Sequence, residues 1–144
     1  MRDVIQHMPA GKGLQALRHI VNSGARYLVA TTFPVSSLPD QGHYENKGAS
    51  GWFGFYLNDL SAPPFLFPPA LRCVATHPEL EPDLTCLYVM SDEWKEQWRA
   101  RMENWRTSGK VTVDAAMQTE RASNLQIIRT FSAKAMKDLS HDVT

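Results

Sequence analysis

Apolar residues recur first at helical spacing, then in a short continuous run, then within a dense aromatic block. Leu14, Leu17, Ile20 and Val21 share one helical face, with Gln15, Arg18 and His19 opposite. The spacing predicts a helix led in by the loop Pro9-Ala10-Gly11-Lys12-Gly13. Asn22-Ser23-Gly24 stops it, Gly24 suiting the left-handed position past a helix end. The next run, Tyr27-Leu28-Val29-Ala30-Thr31-Thr32, is rich in strand formers and too short for a separate helix. It predicts a strand buried on both faces, as parallel sheets require. Helix, glycine stop and buried strand make half of a βαβ unit.

Residues 33–70 differ in kind. Pro34, Pro39, Pro63, Pro64, Pro68 and Pro69, with Gly42, Gly48, Gly51 and Gly54, exclude a long helix or a central strand. Trp52, Phe53, Phe55, Tyr56, Phe65 and Phe67 are too many aromatics for a solvated linker. The stretch predicts an ordered, irregular lobe packed on the sheet. Residues 71–76 and 85–90 then read as a hairpin, joined by a longer loop punctuated by Pro78 and Pro82.

From Ser91 the period turns helical. Ser91 is a good N-cap, and Asp92 and Glu93 suit the positive end of the helix dipole. Trp94, Trp98, Met102 and Trp105 fall on one face, and Thr107-Ser108-Gly109 ends the helix. A further helix is expected from about Asp114 to about Leu139, its apolar face clear only in the second half. The polar run from Gln118 to Asn124 marks a candidate break.

Composition narrows the reading. With 144 residues, one domain's worth of chain, and 43% hydrophobic residues, a core is affordable. Fifteen basic and fifteen acidic side chains cancel, which argues against bulk attraction to nucleic acid or membrane. No segment has the length and apolarity of a membrane span or a signal peptide. Two cysteines without metal-motif spacing, Cys73 and Cys86, read as structural thiols of a reduced, intracellular, soluble protein.

An ordered series of short motifs then carries a resemblance. It comprises Arg2, Asp3, Val4, His7 and Met8; Ser23, Gly24, Arg26, Tyr27 and Leu28; Thr31, Thr32, Phe33 and Pro34; Gly51 and Trp52; Pro63, Pro64 and Phe65; and Pro68, Pro69 and Leu71. Over most of ninety residues this series resembles the C-terminal half of a class I, Rossmann-like, S-adenosylmethionine-dependent methyltransferase. One departure is local: Tyr56-Leu57 stands where the family has an Asn-Leu pair, with Asn58 and Asp59 following.

The resemblance implies an α/β fold. Residues 1–90 would form a partial Rossmann-like sheet (helix, parallel strand, irregular Pro and aromatic lobe, antiparallel hairpin), and residues 91–144 a helical extension of two helices. The opening Arg2-Asp3-Val4-Ile5-Gln6-His7 reads like chain just after a central strand, with no Gly-rich cofactor turn before it. The expectation is a portion without the cofactor-binding half, not binding S-adenosylmethionine and inactive alone. The competing expectation is a non-catalytic interaction module of methyltransferase descent, a subunit of a larger assembly. Either way, the Tyr27–Thr32 strand edge is expected to be covered, by the C-terminal helices folding back, by a second copy or by a separate protein partner carrying the missing half.

The resemblance also places Asp3 and His7 beside cofactor and substrate. Asp3, with Arg2, is the candidate for cofactor contact. His7 is the candidate general base, since imidazole titrates near neutrality. Their bland reading is helix capping and backbone satisfaction. Thr31, Thr32, Trp52 and Phe65 are candidate walls of a substrate pocket, or ordinary packing. No metal site is expected. The tryptophan helix also carries Lys95, Arg99, Arg101 and Arg106, a composition that can stack single-stranded nucleic acid. Glu93, Glu96 and Glu103 offset that charge, so a core or partner-facing stripe is the stronger reading.

Overall fold

The structure is a computed structural model and describes residues 4–50, 54–77 and 81–130. After a single 3₁₀ turn (Ile5–His7) come helix α1 (Ala10–Asn22), strand β1 (Tyr27–Thr32) and a second 3₁₀ turn (Val35–Ser37). The irregular lobe follows, then β2 (Arg72–His77), β3 (Glu81–Val89), α2 (Asp92–Ser108) and α3 (Ala115–Ile128). The fold is mixed α/β, with three helices and a small three-stranded sheet.

The sheet corrects the expectation of a parallel core. Its order is β1-β3-β2, and β3 pairs antiparallel with both neighbours. The run 27–32 is not buried on both faces either. Tyr27 is 59% and Val29 48% exposed, while Leu28 and Ala30 are buried. The run of strand formers hid an alternation over residues 27–30, which ends at Thr31 and Thr32, both buried. The hairpin is as expected, but its connection is shorter. β3 begins at Glu81 and contains Pro82, beyond Leu84, the last position paired with β1. There β3 has no neighbour on the β1 side, so a proline is tolerated.

The covered face carries Leu28, Ala30, Leu84, Cys86 and Tyr88. Onto it pack Leu17 and Val21 of α1, Trp94 and Trp98 of α2, and Phe65 and Phe67 of the lobe. Ile128 of α3 joins Phe33, Val35, Leu38 and Leu57 in a second cluster, with Ala75 of β2 at its margin. The local signals for α1 and α2 are as read. α1 ends before Gly24, whose φ is +86°, and Ser91 Oγ accepts the Trp94 N–H at 3.1 Å. Asp114 caps α3 by accepting from Met117 N at 2.8 Å. α3 runs unbroken through the polar stretch where a break was a candidate; Met117, Asn124 and Ile128 are its buried positions. Its expected continuation to Leu139 lies outside the described residues.

Cys73 and Cys86 are not free thiols. The hairpin register sets them directly opposite, with Cα atoms 4.1 Å apart, and they form a disulfide. Sequence alone did not give the register that pairs them. The bond closes a loop with a sequence separation of 13. Chain-entropy reasoning assigns such a crosslink about 3 kcal/mol. Urea unfolding with and without reductant is expected to show a loss of that order, absent in a Cys73→Ala/Cys86→Ala double variant.

Candidate functional site

The space beyond the carboxyl end of β1 is where open α/β sheets bind ligands. Here the chain's own lobe fills it. Phe33 N donates to the Asn58 carbonyl at 3.0 Å, and Asn58 Nδ2 returns a bond to the Thr31 carbonyl at 3.2 Å. Thr32 Oγ1 donates to Asn58 O at 3.2 Å and accepts from Leu60 N at 2.9 Å. Both threonines are 4% exposed. The side chain of Thr32 thus splices strand to lobe, which is a packing role.

Asp59, 1% exposed, organises this lobe. Oδ2 accepts from Ser36 N at 2.8 Å and Ser36 Oγ at 2.6 Å; Oδ1 accepts from Ser61 N at 2.9 Å and Ser61 Oγ at 2.6 Å. Four donors satisfy a buried carboxylate that would otherwise be very costly. Asn46 completes the brace. Its Oδ1 accepts from Asp59 N at 2.8 Å, and its Nδ2 donates to the carbonyls of Asp59, Ala62 and Pro63 at 2.8, 3.2 and 2.9 Å. A proline-rich segment cannot satisfy its backbone through a ladder, so side chains do it. The sequence reading missed Ser36, Asn46 and Ser61 in this role, and noticed Asn58-Asp59 only as a departure from a family pattern. Buried-type polar residues among aromatics were the available signal.

His7 is exposed at the end of the first 3₁₀ turn. Its Nδ1 lies 3.1 Å from the Gly54 carbonyl, and Phe55 is tilted against the ring at 5.9 Å. A carbonyl only accepts, so Nδ1 carries the proton and Nε2 is the basic nitrogen. Phe65 is fully buried, and its carbonyl accepts the Trp98 indole N–H at 2.7 Å. It belongs to the core beneath α2. Arg2, Asp3 and Trp52 lie outside the described residues.

Glu120 was not read from sequence at all. It sits on α3 against the start of β2, in the wall of a cavity of about 390 Å³ shared with Arg72, Cys73 and Asn124. Its Oε2 has no accessible surface and no hydrogen-bond partner. Burial, and then the negative charge of Asp59, raise its carboxyl from 4.5 to about 7, against Arg101, an Ala70 backbone bond and Arg121. The fold therefore binds a proton that the unfolded chain releases. The associated stability is present below pH 4.5 and is lost as pH rises to about 7. Glu120→Gln is expected to flatten that slope and to stabilise the protein by about 2 kcal/mol at pH 8 in urea titrations, screening by the cavity included. Burial likewise holds the phenols of Tyr44, Tyr56 and Tyr88 well above their ordinary range. Tyr44 accordingly serves as a donor, to Leu57 O at 2.6 Å.

Among the described residues no three His, Cys, Asp or Glu side chains gather as a metal site. Asp59, a buried carboxylate of the lobe, has both oxygens committed to Ser36 and Ser61. No helix of the described residues is long and apolar enough to cross a membrane. None of the protein-family models, curated proteins or solved structures compared with this chain matches it.

Proposed function

We propose that this chain is the acceptor-side portion of a class I S-adenosylmethionine-dependent methyltransferase. In this reading the donor is gripped by polypeptide outside these 144 residues, and the chain alone is inactive. The ordered motif series from Arg2 to Leu71 carries the reading. α1, placed just before β1 and packed on the covered face, supports the same lineage. His7, with its basic Nε2 exposed, is the residue of the series that would accept a proton from a methyl acceptor.

The uncovered sheet face supports a companion for this portion. Cross-strand register puts Tyr27, Val29, Leu87, Val89 and Val74 on that face, and Tyr27, Val29 and Val74 are 59, 48 and 47% exposed. Contiguous exposed apolar surface of this kind marks an interaction site. It equally supports the second reading, a non-catalytic module that joins an assembly through that face.

Calorimetric titration with S-adenosylhomocysteine separates the readings. The enzyme reading predicts no binding by this chain and binding by the native assembly that contains it. Binding by the isolated chain overturns the division of labour. Failure of the native assembly to bind leaves the non-catalytic module.

A further inference from the structure

The tryptophan helix that sequence left between core stripe and nucleic-acid platform proves to have two chemically different sides. Of its acids, Glu93 and Glu96 are exposed and stand outside the groove between α1 and α2, while Glu103 lines it. Toward α1 it presents Lys95, Arg99 and Arg106 interleaved with Trp98, Met102 and Trp105; α1 answers with Leu14, Arg18 and Val21 at helical spacing. Together they enclose a groove of about 410 Å³. That falls in the range of small-molecule sites, roughly 300–1,000 Å³.

The charges in this groove do not cancel. Glu103 is committed to Arg106, at 2.6 and 2.9 Å. Arg101, on another side of the helix, is held by the Phe67 carbonyl at 3.2 Å and Asp114 at 3.6 Å. Among the described residues no acid pairs with Arg18, Lys95 or Arg99. The floor is apolar in a specific way. The Trp98 N–H is consumed by Phe65 O, so the indole offers the groove only carbon. An apolar floor rimmed by cations matches a molecule with a hydrocarbon body and one anionic head. A nucleic-acid strand would need several rings open for stacking, whereas Trp94 and Trp98 are each 6% exposed.

We propose that the groove between α1 and α2 binds a small amphipathic anion, an acyl or aryl carboxylate. The body lies on Met102, Leu14 and Trp105, and the head is held by Arg18, Lys95 and Arg99. The site is independent of any donor cofactor.

Its test is a fluorescence titration of the full chain with anilinonaphthalene sulfonate, followed by displacement with decanoate, decylamine and a ten-residue oligothymidylate. The expected result is saturable 1:1 binding displaced by decanoate alone. It weakens as salt rises from about 0.05 to about 0.5 M. The Lys95→Gln/Arg99→Gln variant is expected to bind about tenfold or more weakly, with an unchanged circular dichroism spectrum and melting temperature. Met102→Glu, which places a negative charge on the floor, is expected to abolish binding. Failure of both anions to bind, equal displacement by decylamine, stronger displacement by the oligonucleotide, or unchanged affinity in the double variant overturns the proposal.

Discussion

Phe67→Ala is expected to cost about 4 kcal/mol, a large part of the stability of an ordinary domain. Phe67 is fully buried and meets three aromatic rings edge-on: Tyr88 at 5.2 Å, Trp94 at 5.0 Å and Trp98 at 5.5 Å. These belong to β3 and α2, whereas Phe67 ends the irregular lobe. The side chain is therefore the bolt through three layers. Each edge-on pair adds about 0.5–1.5 kcal/mol beyond the burial of its surface. The rings around the vacancy are braced, Trp98 by its bond to Phe65 O, so the cavity cannot collapse fully. Phe67→Leu keeps most of the volume and is expected to cost about half as much. Urea unfolding followed by tryptophan fluorescence reads both values. A loss below about 1.5 kcal/mol for the alanine variant would mean that the lobe is not pinned there.

Asp59→Ala is expected to cost about 3–4 kcal/mol by a different route. The change strands two backbone N–H groups now bonded to the carboxylate, and leaves the hydroxyls of Ser36 and Ser61 only each other, 3.1 Å apart, in its place. Asp59→Asn keeps the shape but turns a donor toward donors, and is expected to recover at most half the loss. Ser36→Ala removes one hydroxyl and is expected to cost about 1 kcal/mol. Urea midpoints rank the three. Near-ultraviolet circular dichroism of the aromatic lobe separates local loosening from global loss. If Asp59→Asn proved as stable as wild type, the carboxylate's charge would not be what holds the lobe.

Legibility followed the range of the interaction. α1, its stop at Asn22, the Ser91 cap and the irregular character of residues 33–70 rest on signals within a few residues, and the structure agrees with them. Strand direction and burial for 27–32 depend on partners more than fifty residues away. A run of strand formers cannot say whether one face or two are covered. The same limit hid the disulfide, since only the register of β2 on β3 sets Cys73 opposite Cys86. At the candidate site, the sequence pointed to His7 but not to the carbonyl that fixes its tautomer. It marked Thr31 and Thr32 as pocket walls, whereas the turn at Asn58–Leu60 occupies the end of their strand. Glu120 was invisible because a carboxylate on a mostly polar helix looks solvated until the helix docks. Its surroundings include Asp59 of the lobe and Arg101 of α2, and no local pattern brings these to α3.

The division of labour between this chain and a donor-binding portion is open to direct mapping. Native assembly containing the chain is irradiated with S-adenosyl-[methyl-³H]methionine, with and without excess S-adenosylhomocysteine, and the labelled peptides are sequenced. The account predicts label that S-adenosylhomocysteine suppresses, on peptides outside residues 1–144. Suppressible label within this chain, or no suppressible label anywhere in the assembly, would contradict it.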